Sequence, residues 1–185
     1  MNKMYAIVGM CGSGKSVVCD YLESMGYTKI YFGGVVIQEV KKRGLEINPE
    51  NEKLVREDLR KQYGMGAMAE VLLPEIEEAY KHGNVVLDGL YSWDEFLILK
   101  NRFQENLEVL AVVADKKTRY ARLAHREIRP LTKEEALKRD MAEIENMKKG
   151  GPIAFADYYL ENNEGKEELE KKLEEIVSNT QEKIA

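Results

Sequence analysis

The stretch VGMCGSGKSV, residues 8–17, decides the fold. Gly9-Met10-Cys11-Gly12-Ser13-Gly14-Lys15-Ser16 satisfies the spacing G-x-x-x-x-G-K-[ST]. Glycines at these places let main-chain N–H groups converge on a phosphate at the start of a helix, where the macrodipole also favours an anion. Lys15 then reaches the β- and γ-phosphates, and the Ser16 hydroxyl ligates Mg²⁺. A chance match in a chain of this length is on the order of 1% at average glycine usage. The preceding run MYAIVG (4–9) is apolar and stops at glycine, as does a strand buried on both faces of a parallel sheet. A helix is expected from about Lys15 to Ser24, so the motif falls between strand and helix, where its mechanism needs it. Gly9, Met10, Cys11, Gly12, Ser13, Gly14, Lys15, Ser16 and Val17 are the candidate cradle for a nucleoside polyphosphate.

Working outward, TKIYF (28–32) reads as a second strand, and Val35 to His82 reads as helix with breaks at RGLEINPE and YGMG. NVVLDG (84–89) is a third strand, LEVLAVVAD (107–115) a fourth and FADYYLEN (155–162) a fifth. SWDE (92–95) and TKEE (132–135) have capping-box spacing and should each open a helix, the second running to about Lys149. KKTRYARLAHRE is helical, and GKEELEKKLEEIVSNT closes the chain as an amphipathic helix with Leu169, Leu173, Ile176 and Val177 as its stripe. Strands alternating with helices predict a parallel sheet covered on both faces. Residues 1–185 are expected to form a single domain.

The bulk properties agree with this reading. The chain has 185 residues, of which 44% are hydrophobic and 33% charged, with a net charge of -5. That balance suits a soluble domain and argues against a protein that coats nucleic acid. No apolar run approaches the ~20 residues of a membrane helix. The N-terminal apolar stretch reads as a first strand and not a signal peptide. Cys11 and Cys19 are too few for a disulfide framework or a metal cage, so a reducing cytoplasm is the expected compartment.

A switch GTPase needs an N-K-x-D element to read guanine, and none occurs. A large motor ATPase needs a longer chain. Small kinases remain; they require a carboxylate near the metal or the acceptor, an acceptor pocket and mobile arginines around the transferring phosphoryl group. Asp88 ends the third strand, at the edge of an open parallel sheet that faces the ligand crevice. From there it can hold a metal-bound water or orient an acceptor hydroxyl. Asp115 ends the fourth strand and reads as a turn or helix cap. Residues 116–139 carry nine Lys and Arg against three Glu, a surplus of six. Arg119, Arg122 and Arg126 fall at i, i+3 and i+7 on one helix face, as suits a lid over a triphosphate. His82 and His125 read as surface residues.

With these residues in place, the chain resembles the nucleotide-kinase branch of P-loop proteins, closest to dephospho-CoA-kinase-like and adenylate-kinase-like (nucleoside monophosphate kinase) proteins. The likeness rests on VGMCGSGKS, YFGGVVIQEVKKRGLEINPEN, VVLDGLYSWDEF, TRYARLAHRE, KRDMAEIE and FADYYLENNEGKEELEKKLEEI, in that order. It implies a three-layer α/β P-loop NTPase fold of about five parallel strands flanked by helices, with an acceptor-binding helical insert around 33–66 and a lid around 125–140. It also implies that Arg122 and Arg126 lie near the phosphates, joined by Arg139, and that Asn163 and Gly165 lie near the adenine of ATP. One departure stands out. These families usually carry an early Asp after the second strand, followed by an Arg. Here the stretch reads Phe32-Gly33-Gly34-Val35-Val36-Ile37-Gln38, which puts in doubt any acceptor that depends on a carboxylate at Gly34. Arg56 and Arg60, at i and i+4, are the candidates to meet an acceptor phosphate in its place, with Lys41, Lys42 and Arg43 as weaker substitutes.

The expected function is therefore ATP-dependent phosphoryl transfer to a small nucleotide-like acceptor, either a nucleoside monophosphate or a dephospho-CoA-like alcohol. Lys15, Asp88, Arg122 and Arg126 are the catalytic candidates, and Ser16 and, through water, Asp88 are the Mg²⁺ candidates. No nucleic-acid or membrane partner is expected, and the protein should be a monomer or homodimer. The alternative is an ATP-binding regulatory protein or an ATPase without efficient transfer.

Overall fold

The computed structural model describes residues 2–182, with side chains as far as Ser178. Its centre is a five-stranded parallel sheet in the order β2-β3-β1-β4-β5. The strands are β1 (Met4–Val8), β2 (Thr28–Tyr31), β3 (Val85–Asp88), β4 (Leu107–Val113) and β5 (Tyr158–Glu161). Side chains alternate along a strand, so a fully buried strand feeds two cores at once. In β1, Met4, Ala6 and Val8 enter one core while Tyr5 and Ile7 enter the other. Leu107, Val109 and Ala111 of β4 join the first, and Leu110 and Val112 the second.

Helices cover each face. The first core is capped by α2 (Phe32–Lys42), α3 (Pro49–Tyr63), α4 (Ala67–His82) and α5 (Trp93–Phe103). The second is capped by α1 (Lys15–Ser24) and α9 (Lys166–Glu182), which supplies Leu169, Leu173 and Val177. The α6 (Lys116–His125), α7 (Lys133–Met147) and α8 (Gly150–Ala154) segments lie between β4 and β5. The long helical stretch expected over 35–82 is divided where glycine and proline stand. Pro49 occupies the first turn of α3 behind the Asn48 cap, whose side chain accepts from Asn51 N at 2.9 Å, and Gly64 ends that helix at φ 77°.

Both capping boxes form. Ser92 Oγ accepts from Glu95 N at 3.1 Å while Glu95 Oε2 accepts from Ser92 N at 3.0 Å, and Thr132 and Glu135 repeat the exchange at α7. Ser92→Ala should lower stability by about 1 kcal/mol in urea denaturation, because it removes a buried cap without touching the sheet. The fifth strand is shorter than the run 155–162 suggests. Phe155 ends α8, and β5 starts only after Asp157, whose carboxylate accepts from Val109 N at 2.7 Å. Helix α7 likewise stops at Met147, because Lys148 turns into the left-handed region at φ 53°.

Candidate active site

The phosphate-loop motif follows β1, the central strand, at the edge of the sheet where open parallel folds bind ligands. Its backbone demands glycine. A Cβ on Gly9 would lie 2.3 Å from Val112 O, and one on Gly14 would lie 2.2 Å from Asn162 Nδ2; both residues have left-handed φ, 146° and 105°. The loop fits a polyphosphate by two further observations. Ser13 Oγ is buried without a hydrogen-bond partner, and Lys15 Nζ, which forms no ion pair among the described residues, donates to the Met10 carbonyl at 3.1 Å. Burial, followed by repulsion from Lys149, lowers the Lys15 pKa to about 8, while Cys11, Glu143 and Asp88 act against that shift. Ser16 stays exposed at the start of α1, open to a metal ion.

The loop is braced from two sides. The Arg119 guanidinium, on α6, donates to Cys11 O at 2.9 Å and grips Asp140 of α7 with bonds of 3.0 and 2.6 Å; both side chains are buried. Asn162, just after β5, donates to Ser13 O at 2.8 Å. Arg122 in turn donates to Asn162 O at 2.9 Å and Oδ1 at 3.3 Å. Arg126 lies past the end of α6 and bonds the Arg129 carbonyl. All three arginines of the basic stripe thus engage protein acceptors.

Asp88 ends β3 half-buried, in register with Ile7 and Tyr31. Burial raises its pKa against the opposing pull of the Cys19 thiol and the Lys15 ammonium. Asp115 is the N-cap residue of α6, but its side chain makes no cap bond. Asn163 Oδ1 accepts from Asp115 N at 2.8 Å, and both residues line a shallow cleft with Val113, Ala114, Tyr159 and Glu161. Gly165, at φ 129°, stands directly before α9. Cys19 is buried in the core and Cys11 is half-buried on the loop.

Beside the loop, a cavity of about 600 Å³ opens between α2, α3 and α7. Phe32, Val36, Ile37 and Met68 give it an apolar wall, and Tyr31 and Tyr91 flank it. Arg56, Arg60, Arg129 and Arg139 enter it, with Glu52, Glu95 and Glu143. Arg129 pairs with Glu52 at 3.6 Å and Arg139 with Glu143 at 3.1 Å. Glu95 is committed to the backbone of Tyr91 and Ser92. Among the described residues, Arg56 and Arg60 have no ion pair or side-chain hydrogen bond, and Arg60 Nε is buried without a partner. Gly34 does not line the cavity; its neighbour Gly33 does.

A family model described as an AAA domain matches residues 6–148. A UPF0200 protein of Thermococcus kodakarensis is 35% identical over 175 residues, which is 92% of this chain and 94% of that protein. The chain belongs to the UPF0200 family. Among solved structures, this UPF0200 protein superimposes on a shikimate kinase from Bacteroides thetaiotaomicron with a TM-score of 0.61 at 12% identity, covering 96% of this chain and 99% of that one. It also superimposes on a dephospho-CoA kinase from Campylobacter jejuni with a TM-score of 0.55 at 13% identity, covering 96% of each. Those likenesses establish the P-loop kinase fold and bear out the expected five-stranded α/β architecture. No helix among the described residues is long and apolar enough to cross a membrane.

Neither Glu143 nor Lys149 stands out in the sequence. Glu143 follows Arg139 at i+4, which is a readable signal. Lys149 resembles its neighbour Lys148 in sequence, yet it is 1% exposed while Lys148 stands exposed to solvent.

Proposed function

We propose that this UPF0200 protein is a Mg²⁺·ATP-dependent kinase of a small nucleotide-like acceptor. The supporting observation is a half-apolar cavity beside a phosphate loop, holding two guanidinium groups without protein partners. A guanidinium nitrogen buried without a partner, as Arg60 Nε is, costs free energy unless an anion joins it, so half-buried Arg60 and its neighbour Arg56 suit an anionic acceptor. A phosphate acceptor also suits the absence of a carboxylate at Gly34, since it is already nucleophilic and needs no strong base.

In this reading residues 33–66 form the acceptor-binding insert and 125–140 the lid, with Arg129 reaching from the lid to Glu52 on α3. Gly9 to Val17 hold the triphosphate, and Asn163 and Gly165 lie toward the base. Ser16 and, through water, Asp88 would hold Mg²⁺, which would supply charge neutralisation to the phosphate oxygens. Lys15 steadies the same oxygens. Arg122, Arg126 and Arg139 exchange their protein acceptors for phosphate as the lid closes.

The test is ADP release by purified protein, alone and with a panel of nucleoside monophosphates and dephospho-CoA. Acceptor-dependent release supports the kinase. Release that ignores every acceptor shows an ATPase, and tight binding without turnover shows a binding module.

The depressed Lys15 pKa sets a pH expectation. In the free protein this lysine loses its proton as pH rises through about 8, below its ordinary value of 10.5. Bound phosphate favours the ammonium, so binding at pH 8.5 should take up protons and affinity should fall above pH 8. Calorimetry in two buffers of different ionisation enthalpy reads that uptake; equal heats would show the lysine already charged. In the nucleotide-free protein the sign for stability is the reverse. Between pH 8 and 10.5 the unfolded chain binds the extra proton, so this group makes the fold more stable as pH rises.

A further inference from the structure

Two residues at the start of α2 go against the local rules for a helix. Tyr31 is the N-cap residue, yet its side chain makes no cap bond, where Ser, Thr, Asp or Asn would supply one. Gly33 lies in the first turn with helical backbone and no positive φ, so nothing in its conformation calls for glycine. Alanine would favour the helix there. Departures of this kind from local preference concentrate at functional sites. The contact between the two residues supplies a reason. A Cβ on Gly33 would lie 2.3 Å from Tyr31 Oη and 2.4 Å from Cζ, with Cε1 at 2.8 Å, so the face of the tyrosine ring rests on the bare glycine.

The ring is otherwise uncommitted. Tyr31 is 47% exposed, and its hydroxyl has no hydrogen-bond partner among the described residues. Both Tyr31 and Gly33 line the acceptor cavity. The walls of that cavity differ in chemistry. Phe32, Val36 and Ile37 of α2, beside Tyr31, are apolar, whereas α3 brings Arg56 and Arg60. A ligand with an anionic end and a planar ring matches both walls, its charge to α3 and its ring to Tyr31. An aromatic side chain with one face seated offers the other for stacking, and every nucleobase has a face to match it.

We propose that Tyr31 is a binding residue for the acceptor, the platform on which its planar ring stacks, and that Gly33 is the positioning residue that lets this platform lie flat on α2. Tyr31 thereby selects an acceptor that carries a base over a bare sugar phosphate. This rests on the kinase reading above, because the ligand assigned to the cavity is the phosphoryl acceptor.

The experiment fills the phosphate loop with a saturating non-hydrolysable Mg²⁺·ATP analogue. Calorimetry then measures binding of the four ribonucleoside monophosphates and of ribose 5-phosphate, which lacks the base. Wild type should bind at least one nucleotide about fivefold to a hundredfold tighter than ribose 5-phosphate, the span expected of one stacked base. Tyr31→Ala should lose that advantage while its affinity for ribose 5-phosphate stays within about twofold. Tyr31→Phe, which keeps the ring, should retain the advantage. Gly33→Ala separates binding from folding. It should weaken the nucleotide as Tyr31→Ala does, because the new methyl group displaces the ring, while the melting temperature holds or rises. If the nucleotide keeps its advantage in Tyr31→Ala or in Gly33→Ala, or if both kinds of probe weaken alike, the inference fails and the kinase reading stands. It fails equally if wild type binds none of the probes or does not distinguish them, and the kinase reading is then decided by ADP release. If wild type binds no ATP analogue, both fall.

Discussion

Replacing Lys15 by alanine should reduce phosphoryl transfer by about 10²–10³-fold or more while leaving the fold intact. The ammonium is the one strong cation of the loop itself, and its partner in the free protein is a carbonyl oxygen at 3.1 Å. That bond is exchangeable for phosphate, so removing the lysine takes away transition-state charge stabilisation more than ground-state packing. Stability should even improve slightly below pH 8, because the folded state no longer confines a charge that burial disfavours. Single-turnover ADP formation beside a urea melt checks both halves. A variant with the wild-type rate would remove Lys15 from the chemistry and with it the kinase reading.

The second large effect concerns Asp140. Its carboxylate binds both terminal nitrogens of Arg119, and both residues are less than a tenth exposed. Asp140→Ala leaves a buried guanidinium with the Cys11 carbonyl as its remaining anchor. Stranding one member of a buried pair costs about 3–5 kcal/mol. In a domain of this size that lowers the melting temperature by about 6–20 °C. Nucleotide affinity should fall too, because Cys11 sits on the phosphate loop. Arg119→Met/Asp140→Leu, which replaces the pair with apolar groups, should recover most of the stability and little of the affinity. Recovery of both would mean that the pair braces α6 and α7 without serving the loop.

What the sequence disclosed was local in origin. The phosphate loop, the two capping boxes and the strand alternation each depend on residues within a few positions of one another, so short-range physics writes them in readable form. The cores followed as well, because β1 is apolar at every position and β4 at every position but Glu108. The site's braces were not readable in the same way. Arg119 and Asp140 lie 21 residues apart, and Asn162 and Ser13 lie 149 apart, and no spacing rule joins them. A helical wheel places Arg119, Arg122 and Arg126 on one open face; the fold gives each a different acceptor because α6 ends at His125 and packs against both the loop and the turn after β5. Phe155 read as strand because its neighbours are apolar and aromatic, but the Gly150-Gly151-Pro152 start builds a short helix first.

The two sides of the cleft are built from different materials. Around the loop, Arg119, Asp140, Asn162 and Arg122 form directional bonds that fix β1, α6, α7 and the turn after β5 in one arrangement. The α2–α4 side rests on the sheet through side chains such as Val36, Val55, Leu59 and Met68, whose contacts carry no direction. On the proposed kinase reading, selection can therefore retune the small molecule accepted by exchanging a few wall residues, while the grip on the phosphate donor stays as it is. A scaffold divided in this manner lends itself to new chemistry by drift on one bank of the cleft alone.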